Sequence, residues 1–183
     1  WGLPVASKSD SQDICFIHGS HLDFLANRGL AGKPGRIVSL DGKVLGRHEG
    51  LHRYTIGQRK GLNIGGAPEP YYVVEKHSDA NELVVAFASE AMIGSAYVSH
   101  MVWQSIASEE VMQRCGEQGS FPCSVKLRYR QAAAPCRLIP GAPDSVRVVL
   151  EDPQATTAPG QYAVFYDEGV VLGGGVIART MRA

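Results

Sequence analysis

Alternation of apolar and polar residues runs through most of this chain. In "GRIVSLDGKVLG", residues 35–46, β-branched and aliphatic residues lie on either side of Asp41-Gly42. Strands around such a dipeptide predict a hairpin with a type I′ turn. "YYVVEKHSDANELVVAF", residues 71–87, predicts a second hairpin, turning at Ser78-Asp79-Ala80-Asn81. The alternation resumes over 96–103, then in "CSVKLRYR", "SVRVVLE" and "QYAVFYDEGVVLGGGVIA", where Asp167-Glu168-Gly169 marks another turn. Short strands at this regular spacing predict a small barrel. One stretch reads as a short helix, "SHLDFLANR" at 20–28. Ser20 can cap it, Leu22, Phe24 and Leu25 give it an apolar side, and Gly29 stops it. The expected fold is mainly β: one short helix near the N-terminus, a small β-rich module, then a β-barrel. A boundary is expected in "SEAMIGSA", dividing the chain into 1–19, a β-rich unit over 20–94 and a barrel over 95–183.

Composition adds limits. The 183 residues are 44% hydrophobic and 20% charged, as in an ordinary globular protein. No apolar run approaches the ~20 residues of a membrane span. The opening "WGLPVASKSD" has neither the basic start nor the apolar core of a signal peptide, so a cytoplasmic protein with reduced thiols is expected. Formal net charge is +0, but its distribution is uneven. Residues 28–60 carry eight Lys and Arg against Asp41 and Glu49, and 124–147 carry five against Asp144. The span between, 61–120, has eight carboxylates against Lys76 and Arg114. Two basic blocks in a neutral chain are compatible with one anion-binding face, RNA included, and also with chance clustering.

Four segments hold candidate chemistry. Cys15 sits in the apolar run Ile14-Cys15-Phe16-Ile17, with Asp10 and Asp13 upstream and His18 downstream. Nearby carboxylates disfavour a thiolate, so on local sequence a buried, inert cysteine is the better reading. The other cysteines, 115, 123 and 136, form no CxxC and no zinc-like spacing, and no metal is expected. "YTIGQRKGLNIGG", residues 54–66, makes a glycine-rich basic loop without P-loop spacing: either a turn or a nucleic-acid contact. "LGGGVI", residues 172–177, runs into a strand and reads as tight β packing, not as a phosphate site. "VKLRYRQ", residues 125–131, read as a strand, sets Lys126, Arg128 and Arg130 on one side and Val125, Leu127 and Tyr129 on the other. The cationic side is either a phosphate-contacting element or a solvated strand face.

The motifs "SDSQDICFI", "GRHEGLHRYTIGQRKGLNIGG", "KLRYRQ", "PGQYAVFYD" and "LGGGVI" occur in that order. Together the series resembles the tRNA-specific 2-thiouridylases, which place sulfur on uridine 34 of certain tRNAs. The resemblance implies an N-terminal ATP-pyrophosphatase domain, a β-rich central domain and a C-terminal barrel similar to those of translation factors. It implies that ATP adenylates the uridine C2 oxygen and that a cysteine persulfide, loaded by a sulfur donor protein, delivers sulfur to C2. The persulfide position in the family's D-I-C-F motif falls on Cys15, against the local reading of that residue. Family tRNA contacts fall on Arg128, Tyr129 and Gln161. A guanidinium, a ring and an amide suit phosphate, base face and base edge.

The departures matter equally. A nucleotide loop of the Ser-Gly-Gly-Val-Asp-Ser type and the family's N-terminal catalytic cysteine do not occur in this sequence, and Val171 stands where many members have a cysteine before "LGGG". The expectation is therefore the C-terminal half of a 2-thiouridylase, inactive alone, with ATP held elsewhere. The rival readings are a stand-alone RNA-binding β module in which Cys15 carries no sulfur, and a β module that binds protein.

Overall fold

The computed structural model describes residues 21–30, 32–129, 131–142 and 144–183. Cys15, Ser20 and Arg130 lie outside the described residues. The chain opens with α1 (His21–Asn27), which ends where Gly29 takes a φ of +72°. Two hairpins follow: β1 (Gly35–Ser39) with β2 (Val44–His48), and β3 (Tyr72–His77) with β4 (Glu82–Ala86). They join through a parallel β1–β4 pair, giving the order β2-β1-β4-β3.

Both faces of this small sheet are covered. Ile37, Val73, Leu83 and Val85 pack beneath Tyr54 and Leu62 of the β2–β3 connection, while Val38, Val74, Val84 and Ala86 pack with Ala91. This explains the continuous apolar run "LVVA" in β4: a strand buried on both faces has no polar side to alternate with.

The first turn differs from the type I′ expected. Only Gly42 of the Asp41-Gly42 pair takes a left-handed φ, +82°, and its N–H donates to Ser39 O at 3.0 Å. Hydrogen bonding from Ser39 Oγ to the Asp41 carboxylate holds Asp41 in the turn and lowers its pKa. The turn at Glu168-Gly169 has both residues left-handed, at +47° and +83°, as type I′ requires.

The second half closes into an antiparallel barrel. Its strands are β5 (Met92–Trp103), β6 (Phe121–Lys126), β7 (Ala134–Pro140), β8 (Ser145–Ala155), β9 (Tyr162–Asp167) and β10 (Val170–Arg182). They run in the order β10-β5-β8-β7-β6-β9. Val98, Val125, Leu138, Val148, Phe165 and Ile177 fill the interior. A second helix, α2 (Ser108–Cys115), connects β5 to β6 and buries Val111 and Cys115. It adds to the single helix expected. It has no side-chain N-cap, and only two of its eight residues are buried, so its sequence signal is weak.

"LGGG" lies inside the β10 ladder, as tight packing requires. A Cβ on Gly173, Gly174 or Gly175 would come within 2.5, 2.7 or 2.6 Å of the carbonyl oxygens of Val102, Ala163 and Ser99. Gly174→Ala is expected to destabilise the fold by about 1–3 kcal/mol in urea denaturation, because the oxygen it meets is backbone and cannot swing aside. Gly46→Ala meets only Ile37 Cδ1, at 3.9 Å, and should stay within about 0.5 kcal/mol of the parent.

Candidate nucleic-acid interface at the barrel rim

The strand expected over 125–131 ends at Lys126. Val125 and Leu127 are buried, as the alternation predicts, but Tyr129 does not share their side: it is 95% exposed. The cause is a competing set of hydrogen bonds. Leu127 O accepts from Thr157 Oγ1 at 3.3 Å, and Gln131 N–H donates to Arg128 O at 3.2 Å, so the chain turns out of the ladder. Arg128 and Tyr129 thus stand on the rim, in the β6–β7 connection.

The rim also receives the start of β9. Lys126 pairs with Val164, and Leu127 and Arg128 are bonded to Thr157 and Thr156, which lead directly into the turn before β9. Ala158-Pro159-Gly160-Gln161 forms a turn closed by Gln161 N–H to Ala158 O at 3.3 Å, with Gly160 at φ +87°. Proline then glycine is the sequence such a type II turn favours. Gln161 O accepts from Ile177 N–H at 2.7 Å, which fixes the backbone while the residue itself stays exposed. Tyr162 beside it is 68% exposed. Sequence reading passed over this ring; an aromatic next to a motif glutamine at a strand start was the available signal.

A third motif comes in from the small sheet. Gly57 N–H donates to Val73 O at 2.7 Å and Val73 N–H to Gln58 O at 2.9 Å, tying "GQRKG" to β3. The Gln58 side chain accepts from Thr55 N–H and donates to Lys60 O, both at 2.9 Å, which shapes the loop and leaves Arg59 and Lys60 exposed. Gly57 lies against Arg128, whose Nη2 a Cβ at that position would approach to 2.5 Å. The same Nη2 donates to Thr156 O on the β8–β9 connection. Arg128 therefore joins barrel and sheet, above a cavity of about 140 Å³ that reaches Tyr72, Ala91 and Ala155.

Part of the basic sequence is used up in pairing. Arg36 binds Glu82 at 2.7 Å, Arg53 binds Glu49 at 3.1 Å, and Arg137 donates to Ser120 and Gln118. The cations left over come from both basic blocks. Arg59, Lys60, Lys126 and Arg128 form no ion pair with a carboxylate among the described residues. Free cations beside exposed aromatic rings and an amide can meet phosphate, base faces and base edges. Among the described residues, no cluster of three or more His, Cys, Asp or Glu side chains could hold a metal ion. No helix of the described residues is long and apolar enough to cross a membrane.

Two family models match the chain. Residues 22–87 match one described as a tRNA methyl transferase PRC-barrel domain, and residues 93–177 one described as an aminomethyltransferase beta-barrel domain. Among curated proteins, the chain is 44% identical over 177 residues to the tRNA-specific 2-thiouridylase MnmA of Rippkaea orientalis, covering 96% of this chain and 48% of that protein. It is 45% identical over 177 residues to the protein of the same name from Synechocystis sp., covering 96% and 47%. That of Trichlorobacter lovleyi is 42% identical over 184 residues, covering 100% and 49%. The chain spans about half the length of the curated relatives it matches.

Replacing Arg128 by Leu leaves the Thr156 carbonyl without its charged donor. The expected cost is about 1.5–3 kcal/mol in urea denaturation, the range for a hydrogen bond to a charged group. Arg128→Lys should recover only part of it, because an ammonium is a point donor and cannot lie flat against Gly57.

Proposed function

The chain belongs to the tRNA-specific 2-thiouridylase family, and on that premise we propose that it is the C-terminal part of an enzyme that places sulfur on C2 of uridine 34 in tRNA. The observation that supports this reading best is the meeting of three motifs, "GQRKG", Arg128-Tyr129 and "PGQ", at one cationic rim. In this reading the rim holds tRNA. Arg59, Lys60 and Arg128 meet phosphates, the exposed Tyr129 ring stacks on a base, and Gln161 reads a base edge. Residues 20–94 serve as the central domain, 95–183 as the tRNA-binding barrel, and 1–19 as the end of the preceding domain.

Cys15 carries the sulfur. A donor protein loads it as a persulfide, and the persulfide delivers sulfur to C2. A persulfide is a better nucleophile than a thiol at neutral pH, so Cys15 needs no activating cation beside it in sequence. The polar run before it suits a segment that rearranges between loading and delivery.

Neither glycine-rich stretch among the described residues offers ATP a phosphate cradle at a helix N-terminus. Gly173–Gly175 are locked between two strands, and Gly57–Gly61 opens onto no helix N-terminus. We assign ATP to an N-terminal ATP-pyrophosphatase domain of the same enzyme, acting in the cytoplasm.

Three variants of the full-length enzyme test the reading. Tyr129→Ala should weaken tRNA binding by about 1–3 kcal/mol, the value of a lost base stack, without altering stability. Lys60→Ala should lower the slope of log affinity against log salt by roughly one phosphate contact, about 0.7–0.9. Wild-type affinity and salt slope in both variants would take the rim out of the interface. Cys15→Ser should abolish radiolabelled sulfur incorporation into tRNA while ATP and tRNA binding survive, because a serine oxygen holds no persulfide. Thiolation persisting in that variant would show that another residue carries the sulfur.

A further inference from the structure

A pair of thiols in the barrel has no part in the chemistry above. Cys123 on β6 and Cys136 on β7 are direct cross-strand partners, and their Sγ atoms are 3.6 Å apart. Both are free thiols. Directly opposed residues of an antiparallel pair have Cα atoms about 4.5–5.5 Å apart, inside the ~4.4–6.8 Å window of disulfides. Joining these sulfurs therefore asks for side-chain rotation, with the backbone already in place.

The two thiols are unlike. Cys123 is half-buried and reachable from solvent, whereas Cys136 is 1% exposed. The Cys136 thiol is pushed far above the usual cysteine range, first because holding its proton lets it hydrogen-bond Cys123, then by burial. Exposure makes Cys123 the sulfur that a small oxidant meets first, and Cys136 lies 3.6 Å behind it, within reach once capping of Cys123 removes the hydrogen bond that holds the Cys136 proton. The third barrel thiol, Cys115, is buried and directs its Sγ toward Leu138 O at 4.0 Å.

We propose that Cys123 and Cys136 form an oxidisable dithiol that a low-molecular-weight disulfide closes into an intramolecular bridge. The Cys123 thiolate attacks one sulfur of the small disulfide; an S–S bond forms, the old one breaks, and one small thiol leaves. The Cys136 sulfur then attacks Cys123 Sγ, and the second small thiol leaves. Two protein thiols lose two electrons, the small disulfide gains them, and the two thiol protons end on its products. The ring closed in this way contains Arg128 and Tyr129, so the bridge clamps the base of the connection that stands on the rim. This inference rests on barrel geometry and is independent of the reading of the rim.

The test treats the native, fully reduced chain with glutathione disulfide, caps the remaining thiols and maps tryptic peptides. The expected product has lost about 2 Da, the two hydrogens of disulfide formation. In it "CGEQGSFPCSVK" (115–126) is joined to "QAAAPCR" (131–137), and fragmentation places the bond on Cys123 rather than Cys115. Dithiothreitol should reverse it. Cys136→Ser should stop at a glutathione adduct on Cys123, and Cys123→Ser should yield neither an adduct on Cys136 nor a bridge to it. A bridge to Cys115 or Cys15 would overturn the proposal. So would a lasting adduct on Cys123 in the wild-type chain, or a Cys123–Cys136 bridge that appears only after denaturant is added.

Discussion

Six strands make a barrel only if the last can pair along both of its edges. β10 does this over thirteen residues, with β9 on one side and β5 on the other. Both neighbours come too close for a side chain at Gly173–Gly175, so the closure depends on three positions where there is none. The apolar interior of Phe165, Val125 and Ile177 exists because that seam is shut. An open β10 edge would expose both those side chains and a row of unpaired N–H and C=O groups.

Closure also decides where strands must stop, and the rim is made of stopped strands. β6 gives up its ladder at Leu127 because Thr157 takes the carbonyl that a further partner would have used. β9 begins from a Pro-Gly turn whose backbone is bonded to Ile177 of the closing strand. Between them Arg128 commits one guanidinium nitrogen to Thr156 and lies against Gly57 of the neighbouring sheet. A guanidinium has five donors. One group can therefore join two parts of a structure and still offer hydrogen bonds to an anion.

Local signals in the sequence were legible where local energetics decide. The three hairpins and the first helix follow from turn residues and apolar period, and the tight packing of "LGGG" follows from its place in a strand. What the sequence hid was decided by distant partners. The parallel β1–β4 pair joins residues more than forty positions apart with no turn to announce it. The early end of β6 depends on a threonine thirty residues away, which is why strand alternation alone sets Tyr129 on the side of Val125 and Leu127. The type of the Asp41-Gly42 turn was misread because Ser39 holds Asp41 out of the left-handed region. For the rim, the motifs were visible but their adjacency was not. The opposed pair Cys123 and Cys136 shows no recognisable spacing in one dimension.

The order β2-β1-β4-β3 puts the second and third strands on opposite edges of the small sheet. Residues 49–71 must therefore cross three strand gaps, roughly 14–15 Å at about 4.8 Å each. They cross over a face, pinned there by Tyr54 and Leu62. Such a crossing has a minimum length but hardly a maximum, since closing a loop twice as long costs only about 0.6 kcal/mol more. Residues added near Gly65 and Gly66, where an extra Cβ would meet nothing, would lengthen the reach of the segment without disturbing a strand. Shortening it there would strain the loop between Gln58 and Val73, whose two ends are tied together by backbone hydrogen bonds. The crossing segment is thus a tether with one adjustable end, and variation in how far this protein extends beyond its own surface has a place to accumulate there.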